Sequence, residues 1–372
     1  MNETLLTWLV FIFAFSGMVI VHELGHFVVA RLCKIEVEEF GIGFPTPGAV
    51  KLFTWRGTKF TLNWLPLGGF IRPKGENDPT VQGGLAASSP GRRFAVLVAG
   101  PAMNLLTAIL IYSFLFYRVG VPDPNRTMVS SVLEDSPAQQ AGFQDGDIFI
   151  NGNNAPIHTY GDLRLIIDAN PDSPISFLIE RRGQEIILVA TPEYHEDEGR
   201  AMIGVGLGSP FVRSNSPAAT VGLGIRYTYT SVRNLLSLPA QMIRGTLTPE
   251  QSRVIGLKGI FDIVGQTVSQ DVEASANAAA NPAPSNDPGD QPIRTLDLIA
   301  ALSISLGVFN LFPIPALDGG RILFLLPELI FRRRVPAEVE NVVHGLGMTV
   351  LLLFMIYVNV MDFVNPVNLV VP

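Results

Sequence analysis

Cysteine occurs once in the 372 residues, so the chain can form no internal disulfide. That residue, Cys33, closes an apolar run just after Arg31 and reads as a small hydrophobe near a membrane boundary. Charge is also scarce. Asp, Glu, Lys and Arg make up 16% of the chain, where an average soluble protein carries about 25%. With 48% hydrophobic residues and a mean hydropathy of +0.33, that deficit excludes an ordinary soluble class and points to a membrane protein. A net charge of -7 and a pI near 5.3 argue against a nucleic-acid partner. Lys and Arg are missing from residues 1–30 and again after Arg334.

What is present is a set of long apolar runs. Residues 5–30 are apolar apart from small polar residues and the group His22, Glu23, His26. This run lacks a basic leader and a small-residue cleavage site, and it is long enough to span a bilayer. Residues 94–117 form a second, uncharged run. A third covers 296–312, breaks at Pro313 and Pro315, and resumes over 322–331; a fourth covers 342–364. Four spans are expected. The eight Lys and Arg residues of 34–93 and the triplet Arg332, Arg333, Arg334 mark cytoplasmic segments. Both termini and residues 118–294 are then expected outside, the latter with 13 basic against 20 acidic residues.

Between the spans, Val50–Trp55 and residues 59–64 read as two strands joined by Arg56-Gly57-Thr58, followed by a turn at Pro66, Gly68 and Gly69. Residues 123–208 read as a compact α+β domain. Strands are expected at 128–132, 148–150, 175–179 and 186–190, with one helix near Tyr160–Asp168. The stretch from Asp135 to Asp147, with Gly142 and Gly146-Asp147 in the matching places, resembles the signature of a PDZ domain. Residues 223–268 read as helices on the outer membrane surface. Residues 272–292 are small, polar and Pro-rich, and are expected to be a disordered linker.

His22-Glu23-Leu24-Gly25-His26 is an HExxH motif. On a helix, positions i and i+4 share a face, so both imidazoles can reach one zinc ion. The glutamate between them is placed to act as general base toward the attacking water. Three ionisable groups in an apolar span are costly unless paired or functional. A catalytic zinc has three protein ligands, so one more is required. His158 and His195 fall in the outer domain, and His344, near the start of the fourth span, reads as structural. Asp318 is better placed, in Asn310-Leu-Phe-Pro-Ile-Pro-Ala-Leu-Asp318-Gly-Gly320 where the third span breaks. Irregular backbone at membrane depth is tolerated only where protein or a cavity covers it.

The ordered set of HExxH, Gly100-Pro101-x-x-Asn104 and Asn-x-x-Pro-x-Pro-x-Leu-Asp-Gly-Gly resembles the site-2 protease family of intramembrane zinc metalloproteases, in its bacterial branch with one inserted PDZ domain. The likeness runs over essentially the whole chain and includes Gly41-Ile-Gly-Phe and Leu65-Pro-Leu-Gly-Gly-Phe70, which match a membrane-associated β region. The run at 256–260 departs from a more usual Gly-Pro-rich version.

The resemblance implies a polytopic α-helical membrane protein of about four transmembrane helices, with that β region and an inserted α+β PDZ domain. Its parts are 1–117 (membrane, HExxH and β region), 123–208 (PDZ), 209–292 (surface helices and linker) and 293–372 (membrane). It implies Zn2+ held by His22, His26 and Asp318, with Glu23 as catalytic base. It gives Asn310 to the substrate or developing oxyanion; satisfying loose backbone at the helix break is the other reading. Asn104 is expected to bond between helices, and Gly100 and Pro101 to serve packing and a kink.

The implied partners are the lipid bilayer of a bacterial plasma (inner) membrane and transmembrane protein substrates such as anti-sigma factors or remnant signal peptides. The PDZ domain would bind a trimmed C-terminus or act as a size filter. Two other classes compete: a non-catalytic PDZ-bearing membrane adaptor, and a cation transporter. Transporters commonly carry internal repeats, and none is apparent in this sequence.

Overall fold

The computed structural model describes residues 3–123, 125–195, 200–212, 216–245, 253–280 and 293–366. In chain order it begins with helix α1 (Glu3–Leu32), strands β1 (Val37–Phe44), β2 (Val50–Trp55), β3 (Thr58–Leu62) and β4 (Leu65–Pro73), and helix α2 (Pro90–Arg118). Then come β5 (Val121–Pro122), β6 (Thr127–Val132), α3 (Pro137–Ala141), β7 (Ile148–Gly152), β8 (Ala155–Pro156), α4 (Tyr160–Asp168), β9 (Ile175–Arg181) and β10 (Gln184–Ala190). Strands β11 (Glu193–His195), β12 (Arg200–Met202), β13 (Val205–Gly208) and β14 (Phe211–Val212) follow. The chain closes with helices α5 (Pro217–Arg244), α6 (Leu257–Ala280), α7 (Arg294–Leu311), α8 (Asp318–Phe331) and α9 (Ala337–Val364). Two compact units result, one of residues 116–216 and the other of the remaining helices with β1–β4.

Among the described residues, α1, α2, α7 and α9 are long and apolar enough to cross a membrane, and the protein is a polytopic membrane protein. In α9 the large side chains stay uncovered by protein, as with Val350, Leu353 and Ile356, which suits a helix facing lipid rather than water. The third apolar run breaks where expected, but its second part resumes as α8 already at Asp318. This helix has 14 residues, about 21 Å at 1.5 Å per residue.

Strands β1–β4 form one sheet in the order β2-β3-β1-β4, with β1 and β3 parallel and the other pairs antiparallel. Arg56 and Gly57 both take positive φ, 47° and 90°, the backbone of the two-residue turn that matches strand twist. The expected turn at Pro66–Gly69 is instead part of β4, whose Gly69 and Phe70 pair with Ile42 and Gly41. Glycine serves close approach there: a Cβ on Gly41 would fall on the Phe70 ring. Phe27, Ala30, Ile35, Val37, Phe40, Leu85 and Val96 make one buried cluster that ties the end of α1, β1 and the start of α2 together. Ser16 of α1 also donates to the Pro66 carbonyl of β4 at 2.5 Å.

In the 116–216 unit, a six-stranded sheet runs β10-β9-β7-β6-β13 with β8 on β7. Its core is Phe143, Phe149, Phe177, Ile175, Ile179, Leu163 and their neighbours. The Gly-Asp pair singled out in the sequence has a physical reason. Asp147 is fully buried, and Arg181 donates to both its oxygens at 2.6 and 2.7 Å. Strand β13 was not foreseen; its short Gly-containing run lacks the β-branched pattern of the others.

The expectation of helices over 223–268 meets α5 and α6. The expected linker differs: α6 continues to Ala280, so residues 272–280 are helical. Their run of alanines favours helix over coil. The rest of that linker lies outside the described residues.

Candidate metal centre

Helix α1 sets His22 and His26 on one face, both buried. Asp318, the first residue of α8, completes the group. Its Oδ2 lies 3.1 Å from His22 Nε2 and 3.3 Å from His26 Nε2, and the two Nε2 atoms are 3.1 Å apart. Among the described residues, these three form the cluster able to hold a metal ion. The donor set fits zinc. Bonds of about 2.05 Å at tetrahedral angles place neighbouring donors about 3.3 Å apart, close to all three separations.

The outer nitrogens decide what the inner ones can do. His26 Nδ1 lies 2.7 Å from the Val96 carbonyl, which can only accept. Nδ1 therefore carries a proton, and in the neutral imidazole that tautomer turns the Nε2 lone pair inward. Opposite His22 stands the fully buried Asn104, its amide nitrogen 3.3 Å from His22 Nδ1 and its Oδ1 buried without a partner.

Small residues make this approach possible. A Cβ on Gly100 would collide with His26 Nε2 and lie 2.8 Å from His22 Nε2. One on Gly25 would strike the Ala99 carbonyl. Gly319 and Gly320 meet the backbone of residues 311–315 in the same way. The Asp-Gly-Gly sequence thus lets the broken segment fold back tightly on the start of α8.

Glu23 points to the other side of the motif. Its Oε2 accepts the N–H of Ile71, 3.1 Å away, so β4 fixes the carboxylate. A cavity of about 260 Å³ joins these groups, lined by His22, Glu23, His26, Phe70, Asn310, Asp318 and Arg321 among others. Asn310 sits half-buried on its wall, and its amide donates to the Leu306 carbonyl one turn earlier at 2.9 Å. His158 lies exposed in the 116–216 unit. Sequence reasoning passed over Arg321, which pairs with Glu76 at 2.5 Å on the cavity wall. Its position one turn after Asp318 in an apolar helix was an available signal.

Comparison with known proteins agrees with this geometry. The model for peptidase family M50 matches residues 10–354. A protein of Clostridium acetobutylicum assigned as a zinc metalloprotease is 30% identical, over 96% of this chain and 97% of its own length. One of Clostridium perfringens with the same assignment is 31% identical, over 95% and 97%. The metalloprotease MmpA of Caulobacter vibrioides is 29% identical, over 93% and 92%. A PDZ domain of an SdrC-like protein from Listeria monocytogenes matches 24% of this chain and 93% of its own, at 17% identity. Its TM-score of 0.21 is too low to bear on the fold.

Proposed function

This chain belongs to peptidase family M50, the zinc metalloproteases, and from that premise we propose that it hydrolyses peptide bonds within transmembrane segments, with Zn2+ held by His22, His26 and Asp318. The observation that carries the reading is the convergence of two imidazole nitrogens and one carboxylate oxygen at the spacing zinc requires. When bound, zinc supplies a Lewis acid that polarises the scissile carbonyl and lowers the pKa of water.

The chain's own groups do the rest. Glu23 takes the proton of the attacking water and delivers it to the leaving amine. The Ile71 N–H holds its carboxylate in place. His26 keeps its proton outward on the Val96 carbonyl. Asn104 holds His22 in the equivalent tautomer when its Oδ1 accepts from Nδ1–H, the amide orientation that frees Nε2. Asn310 faces the cavity as the candidate contact for substrate or oxyanion.

A substrate helix must unwind before its peptide bonds can react. β4 is the edge of its sheet and contributes Phe70 and Ile71 to the cavity, so the unwound segment adds as a strand beside β4. Substrates of this kind are single-span membrane proteins, anti-sigma factors and remnant signal peptides among them. Residues 34–93 and 332–340 face the cytoplasm in this reading, with the termini and the 116–216 unit outside a bacterial plasma membrane. That unit is read as a PDZ domain acting as a size filter.

The test maps the cut. Purified protein is incubated with a single-span reporter, and the new termini are read by mass spectrometry. Cleavage inside the apolar span is expected. Cleavage confined to the flanking soluble parts would overturn the intramembrane reading.

A further inference from the structure

Asp318 enters α8 through a loop that another helix holds. Two residues before it, Ala316 takes a φ of +81°, in the left-handed region that favours glycine. Its N–H donates to His344 Nδ1 of α9 at 2.8 Å. Because Nδ1 accepts, this imidazole is neutral and carries its proton on Nε2, which is buried without a partner. The Phe324 ring of α8 lies against it, 5.5 Å between centroids. One turn further along α9, Gly347 meets the same loop: a Cβ there would fall on Pro315. Helix α9 therefore offers the loop one acceptor and one bare patch of backbone. A half-buried imidazole whose covered Nε2–H is unpaired is costly in an apolar helix, which a purely space-filling role does not explain.

We propose that His344 is a positioning residue for Asp318. By accepting from Ala316 it holds the left-handed backbone that aims the chain into α8, and so sets the place of the carboxylate relative to His22 and His26. The inference rests on the reading of Asp318 as a zinc ligand.

The test measures zinc affinity of the full chain in detergent by competition with a chromophoric chelator, with the visible spectrum of the cobalt-substituted protein as second readout. H344L, which lacks the acceptor, is expected to bind zinc about 10-fold more weakly, the low end for loss of an outer-shell partner. H344N places Oδ1 three bonds from Cα, as Nδ1 is, and should stay within about 3-fold of wild type, well short of that loss. Glycine takes positive φ unaided. A316G should therefore make zinc binding insensitive to H344L, and the double variant should recover the wild-type cobalt spectrum. This coupling keeps the test sharp if H344L alone accumulates poorly.

D318A separates the two readings. If D318A binds zinc as tightly as wild type, the ligand assignment fails and the inference with it. If D318A weakens zinc but H344L does not, the inference alone is overturned. It is also overturned if H344L costs the same factor with and without A316G.

Discussion

Gly100→Ala adds a single methyl group where the two imidazoles converge. The new Cβ would sit 2.6 Å from His26 Cε1 and 2.8 Å from His22 Nε2, with His26 Nε2 nearer still. These atoms are not the loose ends of flexible side chains. The Val96 carbonyl holds one ring at 2.7 Å, and Asn104 faces the other at 3.3 Å. Relief therefore requires either separating α1 from α2 or rotating the rings out of convergence.

Overpacking of this kind costs about 1–3 kcal/mol. The apo protein can escape by turning a ring, but the metal-bound protein cannot, so the cost falls on zinc binding. At about 1.4 kcal/mol per decade this is roughly a 5- to 140-fold loss of affinity. Chelator competition on detergent-purified protein reads it directly, with Gly17→Ala in α1 as control, since nothing lies within 4 Å of a Cβ there. If G100A bound zinc and turned over substrate like G17A, the convergence of His22 and His26 on one ion beside Gly100 would be refuted.

Two further outcomes follow from buried polar contacts. With the Asn104 amide turned so that Oδ1 accepts from His22 Nδ1–H, as the proposed zinc site requires, Asn104→Leu removes that acceptor and should weaken zinc about 10-fold, while Asn104→Asp keeps one and should retain most of the affinity; chelator competition compares them. Asp362 of α9 is almost fully buried, pairs with Arg253 at 3.0 Å, and accepts the N–H groups of Gly256 and Gly259 at the start of α6. Asp362→Ala leaves Arg253 and those donors without it and should destabilise the membrane unit by about 3 kcal/mol, read as a lower melting temperature and faster proteolysis within 253–280. Equal melting temperatures would show that the pair does not hold α6.

The HExxH spacing gave the helical face of α1, and the broken third span pointed to Asp318, because both signals are local and costly at membrane depth. The 116–216 unit was legible for a similar reason: alternating β-branched runs and the Gly146-Asp147 pair carry their own explanation. What sequence could not deliver are contacts between distant segments. That Asn104 faces His22, that Ile71 N–H holds Glu23, and that His344 caps Ala316 all depend on how helices and strands meet. β4 was read as a turn because Pro66, Gly68 and Gly69 are turn formers, yet pairing with β1 and the close approach to α1 outweigh that local preference. In 272–280 the opposite held: the small, polar, Pro-rich composition of 272–292 read as a linker, while the helix propensity of the alanines in 272–280 prevailed.

The central claim is that Glu23 is the base of a zinc peptidase acting within the membrane, and one comparison tests it most directly. Wild-type protein and Glu23→Gln are assayed side by side for bound zinc and for cleavage of a single-span reporter. The account predicts equal zinc content and a cleavage rate lower by at least about 10²-fold in the variant, the least expected for loss of a general base. Cleavage by Glu23→Gln at the wild-type rate with zinc still bound would contradict it.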